Sequence, residues 1–429
     1  MKVLLVGTGA REHALAWKLT ADDPSIELVC ARGNPGIREH GECIPVAADD
    51  VRSLLGYAER ADIDLTVVGP EAPLALGIVD AFRAQGRAIF GPTQGAAEIE
   101  TSKRFAKALM ERAGIPTAKA TAHRDPVDAL RAVRQSGTPV VIKASGLAAG
   151  KGVVIARSLE EAERAIYMML QDRVFGDAGA EILIEEYMEG EELSLFVLTD
   201  GTGALPMLPA QDHKRLLDGD LGPNTGGMGS YAPVSIATGD LMGQAMDRII
   251  EPTLAALRAE ARPFTGLLYA GLMITDNGPK VIEFNCRFGD PETETLLPMM
   301  ESSLLEPITR IARGEALDTT RSISWKTGFA ATTVLAAHGY PDSPRKGDAI
   351  RLPAPPLGIH VFHAGTARDE ETGELSTSGG RVLAITGTGP TIADAEQRSR
   401  EYAERVTFDG KQFRRDIAWR ELERNAGAA

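Results

Sequence analysis

The strongest chemical signature in the 429 residues is the run Val281-Ile282-Glu283-Phe284-Asn285-Cys286-Arg287-Phe288-Gly289-Asp290-Pro291-Glu292. Read as a strand, its alternation sends Glu283 and Asn285 to one face with Arg287 nearby, and Ile282 and Phe284 to the core. Carboxylate and amide oxygens are hard donors that suit Mg²⁺ bridging nucleotide phosphates. Arg287 would then neutralise a transferring phosphoryl group or the charge that develops in acyl transfer. A structural Glu–Arg pair closing a strand end would use the same residues, so the reading depends on phosphate-binding groups elsewhere in the chain.

Two upstream segments offer such groups. Lys143-Ala144-Ser145-Gly146-Leu147-Ala148-Ala149-Gly150-Lys151-Gly152-Val153 sets a lysine on a strand, then a loop with three glycines and a second lysine. The amides around Gly150 can fold over phosphates, while Lys143 and Lys151 supply point charges. The spacing is not that of a Walker A loop, and a strand rather than a helix follows. Solvated lysines on a flexible hairpin are the plain alternative. Next, Ile184-Glu185-Glu186-Tyr187-Met188-Glu189-Gly190-Glu191-Glu192 follows a strand-like run, where a hinge backbone could read an adenine edge and an acid could hold ribose hydroxyls. The same five carboxylates also describe a solvated acidic turn.

At the N-terminus, Gly7-Thr8-Gly9-Ala10-Arg11-Glu12-His13 lies between a strand and a helix, where amides and the helix dipole favour an anion. The third glycine of a dinucleotide fingerprint is absent, since Glu12 takes its place. That argues against a nicotinamide or flavin and for a smaller anion such as a sugar phosphate, with a simple tight turn as the other reading. Gln211-Asp212-His213-Lys214-Arg215 precedes the glycine-rich stretch Gly222 to Tyr231, which could close over substrates and exclude water or be a surface loop. His213 could orient a substrate, act as a base or sit on the surface. The other histidines lack zinc-type spacing or a nucleophile partner.

Elements of regular type must carry these groups. Lys2–Val6, Leu65–Val68 and Ala88–Phe90 each end in a glycine turn and alternate with helical patterns, which predicts a doubly wound parallel sheet over residues 1–100. A connecting helix is expected over 101–116, capped by Thr101 or Ser102 and stopped by Gly114-Ile115-Pro116. Residues 117–190 alternate short strands and helices as one α+β module. Residues 191–320 carry longer strands and the metal-type motif, and 321–429 form a small C-terminal α/β or barrel-like domain. The fold class is therefore a multidomain α/β and α+β chain, in keeping with its length.

Charge and composition narrow the partners. With 46 Lys+Arg against 60 Asp+Glu the chain is at −14, which disfavours a broad nucleic-acid or anionic-membrane surface. Local amides and a few cations can still bind small anions. Three irregularly spaced cysteines give neither a disulfide framework nor a thiolate metal site and suit a reducing cytoplasm. No targeting segment and no apolar stretch of membrane-spanning length is evident.

Taken together, GTGAREHALAW from Gly7, VVGPEAPLALG from Val67, FGPTQGAAEIETSK from Phe90, GLAAGKGV from Gly146, QDHKR from Gln211, GPNTGGMGSY from Gly222 and VIEFNCRFGDPETE from Val281 closely resemble the phosphoribosylamine–glycine ligases, or glycinamide ribonucleotide synthetases. These belong to the ATP-grasp superfamily, and the likeness spans nearly the whole chain. The resemblance implies ATP between the 117–190 module and the following sheet, bound by Lys103, Lys143, Gly150, Lys151, Glu185, Glu186, Tyr187, Met188 and Glu192. It implies Mg²⁺ or Mn²⁺ on Glu283 and Asn285. Phosphoribosylamine and glycine would engage Gly7, Gly9, Arg11, Asp212, Lys214, Gly226 and Arg287, with Lys143, Arg287 and Asp290 at the reacting centre, in a monomer or weak homodimer.

Two departures accompany it: Ser145 stands where relatives usually carry Asp, and Leu268–Ile274 lacks the first acidic metal ligand of many ATP-grasp enzymes. The chemistry so implied is attack of the glycine carboxylate on the ATP γ-phosphate, then of the amine on glycyl phosphate. Another ATP-grasp ligase, such as a carboxylase of an aminoimidazole nucleotide, is the nearest competitor. A nucleotide-binding regulatory module without turnover is the competitor of another class.

Overall fold

The computed structural model describes residues 1–148 and 152–427. Its N-terminal sheet is wholly parallel, in the spatial order Glu42–Ile44, Glu27–Arg32, Lys2–Gly7, Leu65–Val68, Ile89–Phe90. The first strand sits centrally and the chain winds away from it in both directions, so the carboxyl ends of Lys2–Gly7 and Leu65–Val68 flank a topological switch point, where α/β sheets form ligand crevices. Glu27–Arg32 and Glu42–Ile44 escape a reading based on apolar runs because each is cut short by charged residues. The helix expected over 101–116 spans Lys103–Arg112, and a further helix, Gln94–Thr101, precedes it. Ser102 adopts an extended conformation between them, and its side chain accepts from Phe105 N as the cap of the second.

Residues 120–186 build a four-stranded antiparallel sheet ordered Ala120–His123, Ile182–Glu186, Val140–Ala144, Val153–Ala156. It has its own core, including Leu130, Val133, Ile142, Ile166 and Ile184. A second antiparallel sheet runs Ala204–Pro206, Glu191–Thr199, Gly266–Thr275, Gly278–Asn285. Both faces of this sheet share cores with the N-terminal sheet: Leu4 and Val6 lie in one cluster with Leu195 and Leu268, Val3 and Leu5 in another with Phe196 and Leu267. The N-terminal region is therefore fastened to the large sheet by apolar burial on both sides.

The last sheet is ordered Gln211–Asp212, Gly229–Ala232, Phe329–Ala336, Arg381–Gly389, Ile359–His363, an open sheet covered by the helix Ile392–Arg405. All its pairings are antiparallel. Two of these strands flank the glycine-rich 222–229 stretch, so that stretch is anchored in a sheet otherwise made from the C-terminal region.

Candidate active site

Glu283 and Asn285 lie on the edge strand Gly278–Asn285, but simple alternation does not hold there. Gly271 pairs with Glu283 and Leu272 with Val281, so Ile282 is an extra residue in a β-bulge. Val281 rather than Ile282 packs beside Phe284 in the core, which corrects the expected facing of Ile282. The bulge also frees the Ile282 carbonyl, which accepts from Lys143 Nζ at 3.2 Å. Thus the irregular residue links the motif to the smaller sheet.

Lys143 is buried and makes a second contact, 2.9 Å to Glu185 Oε2. Lys107 Nζ approaches the same oxygen at 3.3 Å. Glu185 therefore serves two lysines. An ammonium has three donors, and these contacts use two of Lys143's among the described residues. Burial brings Lys107 down to about 8, against the pull of Glu185. Lys103, at the start of its helix, donates to the Gly146 carbonyl at 3.1 Å. Ser145 accepts from two amides, its Oγ from Arg104 N at 3.4 Å and its carbonyl from Lys103 N at 2.9 Å. Ser145 thereby seats that helix. Glu186 meets Lys280 at 3.6 Å, and Tyr187 lies under Arg157. Tyr187 and Met188 are half-buried beyond the strand end. Gly150 and Lys151 fall outside the described residues.

Lys214 Nζ is 2.5 Å from Glu192 Oε2, which joins a residue expected at ATP to one expected at substrate. Glu283 sits within the field of Lys214, Lys143, Lys103 and Arg287. Burial alone would raise its pKa, but these four cations hold it below the ordinary carboxylate range. Among the described residues no group of three or more His, Cys, Asp or Glu could cage a metal. A Glu and an Asn oxygen beside several cations instead fit an ion held mainly by phosphates and water. Asp212 pairs with Ser230 across the sheet; burial and the carboxylates Glu292, Glu192 and Glu283 push it up to about 7 against the pull of Lys214. His213 is buried and its Nε2 accepts from Ala418 N at 2.9 Å, so it holds the C-terminal tail.

Arg287 is closely held. Its guanidinium lies 3.4 Å from Glu71 and 3.3 Å from Glu100, and donates to Asn285 Oδ1 at 3.1 Å. Glu100 Oε2 accepts in turn from the Cys286 amide at 2.8 Å. Both glutamates lie in motifs already quoted, yet nothing local marks them as partners of a residue so distant in sequence.

The switch-point crevice, of about 350 Å³, is lined by Gly7, Gly9, Arg11, Glu12, Arg32 and Asp290 among others. Glu12 fills the space of the absent third glycine. Its Oε2 accepts from Gly9 N at 2.5 Å, and a Cβ at Gly7 would stand 2.6 Å from its Cγ. A built-in carboxylate thus occupies the amide nest that a pyrophosphate would need. Arg11 bridges Glu12 and the Phe288 carbonyl at 2.8 and 3.0 Å, tying this turn to the motif of the large sheet. Asn34, unmarked by the sequence, donates to Thr8 O at 2.9 Å and to His363 O at 2.6 Å.

Asp290 borders the same crevice and pairs with Arg381 at 3.0 Å. Burial would raise Asp290, but Arg381 and Arg11 hold it low. Glu294, one helical turn later, is fully buried and has no hydrogen-bond donor to either oxygen among the described residues. Burial and the Asp290 charge push its pKa well above the usual range.

Family models match the chain in three consecutive pieces: the phosphoribosylglycinamide synthetase N domain over residues 1–100, its ATP-grasp (A) domain over 101–293 and its C domain over 330–420. A phosphoribosylamine–glycine ligase of Ralstonia nicotianae is 49% identical over 427 residues, covering 99% of this chain and 100% of the relative. One from Yersinia pestis is 48% identical over 429 residues, with 99% and 100% covered. The crystal structure of the Thermotoga maritima phosphoribosylamine–glycine ligase superposes with a TM-score of 0.84 at 33% identity, covering 97% of this chain and 100% of that one. The biotin carboxylase domain of Hydrogenobacter thermophilus 2-oxoglutarate carboxylase, solved with MgADP, ADP and bicarbonate, shares the fold at a TM-score of 0.72 and 20% identity, with 96% and 91% covered.

Proposed function

Since the chain belongs to the phosphoribosylglycinamide synthetase family, we infer from its own residues how it carries out the family's reaction. It is a phosphoribosylamine–glycine ligase, which uses ATP to join glycine to 5-phosphoribosylamine and yields glycinamide ribonucleotide, ADP and phosphate in purine biosynthesis. A free carboxylate is a poor electrophile, so the glycine oxygen first attacks the γ-phosphorus and ADP leaves. The amine nitrogen of phosphoribosylamine then bonds to the carbonyl carbon of glycyl phosphate, the carbon–oxygen bond to phosphate breaks, and the nitrogen loses a proton.

One observation carries the residue assignment: the charges of Lys103, Lys143, Lys214 and Arg287 all act on Glu283, on the strand that leads towards Asp290 and its crevice. The cations orient and neutralise the triphosphate and the transferring phosphoryl group. Glu283 and Asn285 would hold Mg²⁺ or Mn²⁺, which supplies Lewis-acid neutralisation of phosphate oxygens when bound. Glu186, Tyr187 and Met188 border the adenine. The Gly7–Arg11 turn and Asp290 receive phosphoribosylamine, with Glu12 limiting the crevice to a single phosphate. Asp212, Lys214 and Gly226 hold glycine. The three free thiols suit a cytoplasmic enzyme, acting as a monomer or weak homodimer.

The test is glycine-dependent ADP release that requires phosphoribosylamine, in the wild type and in Glu283→Gln. Release without glycine, or undiminished release by the variant, would overturn this assignment.

A further inference from the structure

Gly226 occupies the middle of the glycine-rich loop, yet its backbone is gripped by two side chains more than a hundred residues away. Its N–H donates to Tyr340 Oη at 3.0 Å, and its carbonyl accepts from Arg381 Nη1 at 2.6 Å. The same nitrogen lies 2.9 Å from the Asp290 carbonyl and 3.0 Å from Asp290 Oδ1. One guanidinium nitrogen therefore fastens the loop to the acid that borders the crevice. Packing supports the grip on both sides: a Cβ at Gly226 would stand 3.2 Å from Arg381 Cζ, and one at Gly380 2.5 Å from the Tyr340 ring. The loop's next residue abuts the same place, since a Cβ at Gly227 would stand 2.5 Å from Pro291 Cδ. Its upstream end is held too, with Thr225 N and Oγ1 both donating to the Lys214 carbonyl.

Loops with several glycines give up much conformational freedom when ordered, so an outside restraint is needed to keep one closed. Here the restraint comes from the C-terminal region. We propose that Tyr340 and Arg381 form a clasp that holds the 222–229 loop over Asp290, so that glycyl phosphate is delivered to the amine rather than to water. The proposal rests on the reaction and on the substrate role of Gly226 given above. In the productive step the amine displaces phosphate from the acyl carbon. In the leak, water attacks that carbon instead, returning glycine and phosphate at the cost of an ATP. An open loop favours the leak because it admits water to a reactive intermediate. Tyr340 and Arg381 are thus positioning residues.

The experiment compares ADP formed with glycinamide ribonucleotide formed, for wild type, Arg381→Met, Arg381→Lys and Tyr340→Phe at saturating ATP, glycine and phosphoribosylamine. Wild type should form the two in equal amounts. Arg381→Met and Tyr340→Phe should keep glycine-dependent ADP release while the ratio of ADP to product rises severalfold. Lysine restores a point donor though not the planar fork, so Arg381→Lys should recover part of the coupling. If ADP and product fall together in both Arg381→Met and Tyr340→Phe, the clasp does not shield the intermediate. Tyr340→Phe removes a single oxygen, so it decides the matter should the Arg381 variants fail to fold. A wild type that releases no ADP in response to glycine would instead overturn the reaction assignment, leaving the two failures distinguishable.

Discussion

Replacing Glu294 by glutamine should stabilise the protein near neutral pH and destabilise it in acid. Glu294 is fully buried with neither carboxyl oxygen hydrogen-bonded among the described residues, and burial and the Asp290 charge push its pKa well above the usual range. A group whose pKa rises on folding contributes fully below its unfolded pKa and loses that contribution as pH climbs towards the folded value. The unfolded glutamate titrates near ~4.3, so keeping the proton costs about 1.4 kcal/mol per pH unit above that, or roughly 2.7 kcal/mol two units higher. Glutamine carries no such cost but leaves buried N–H unmatched, worth about 1 kcal/mol. The variant should therefore gain about 1.5–2 kcal/mol two pH units above that point and lose about 1 kcal/mol at it. Urea unfolding followed through the three tryptophans, at intervals between these pH values, would show the two stability curves crossing. Parallel curves would mean that folding does not raise the Glu294 pKa.

Three further outcomes follow from the site. Glu283→Gln should lower ADP formation by about 10²–10³-fold, the scale of losing one electrostatic stabiliser; wild-type turnover restored by excess Mg²⁺ and ATP would place the metal elsewhere. Arg287→Ala leaves Glu100 and Glu71 without their cation and should cost about 3–5 kcal/mol in thermal or urea unfolding. A folded, ATP-binding Arg287→Ala protein with wild-type turnover would remove Arg287 from catalysis. Lys107 loses its charge as pH rises through about 8, which leaves Glu185 to Lys143 alone and draws that ammonium away from phosphate. ATP affinity measured by calorimetry should weaken through that range in the wild type and stay flat, at the weaker value, in Lys107→Met. An unchanged wild-type affinity would detach Glu185 from ATP binding.

Much of the fold was legible because the strands that centre each sheet are long apolar runs: Lys2–Gly7, Val140–Ala144 and Gly266–Thr275 all announce themselves. What escaped were features that depend on partners. The Ile282 bulge inverts an alternation that the residue types alone seemed to settle, because its register is imposed by the neighbouring strand. At the connecting helix the residues offer Thr101 and Ser102 alike as caps, and the choice of Ser102 rests on its reach to Phe105 N in the fold. The residues of the site divide in the same way. Glu283, Asn285, Arg287 and Lys143 cluster in short strings, whereas Asn34, Tyr340 and Arg381 sit in unremarkable segments and matter only through what they reach across the fold.

The charge pattern explains why a phosphate-handling site can be invisible in composition. Lys103, Lys143, Lys214 and Arg287 come from different elements, and the chain as a whole is strongly acidic. Two of them have dedicated carboxylates, Glu192 for Lys214 and Glu71 with Glu100 for Arg287, while Lys143 shares Glu185 with Lys107. Those acids make burial of the cations tolerable, since an unpaired buried charge is expensive. They also fix each cation in place before substrate arrives, so less reorganisation is needed when phosphate charge moves. Pairing in this way cancels the cations in any count of charge along the chain. Within the site the cancellation is incomplete, because Glu283 still feels all four cations strongly enough to stay ionised despite burial. The electrostatic character of this centre is therefore a property of the folded arrangement, and only its separate parts can be read from the sequence.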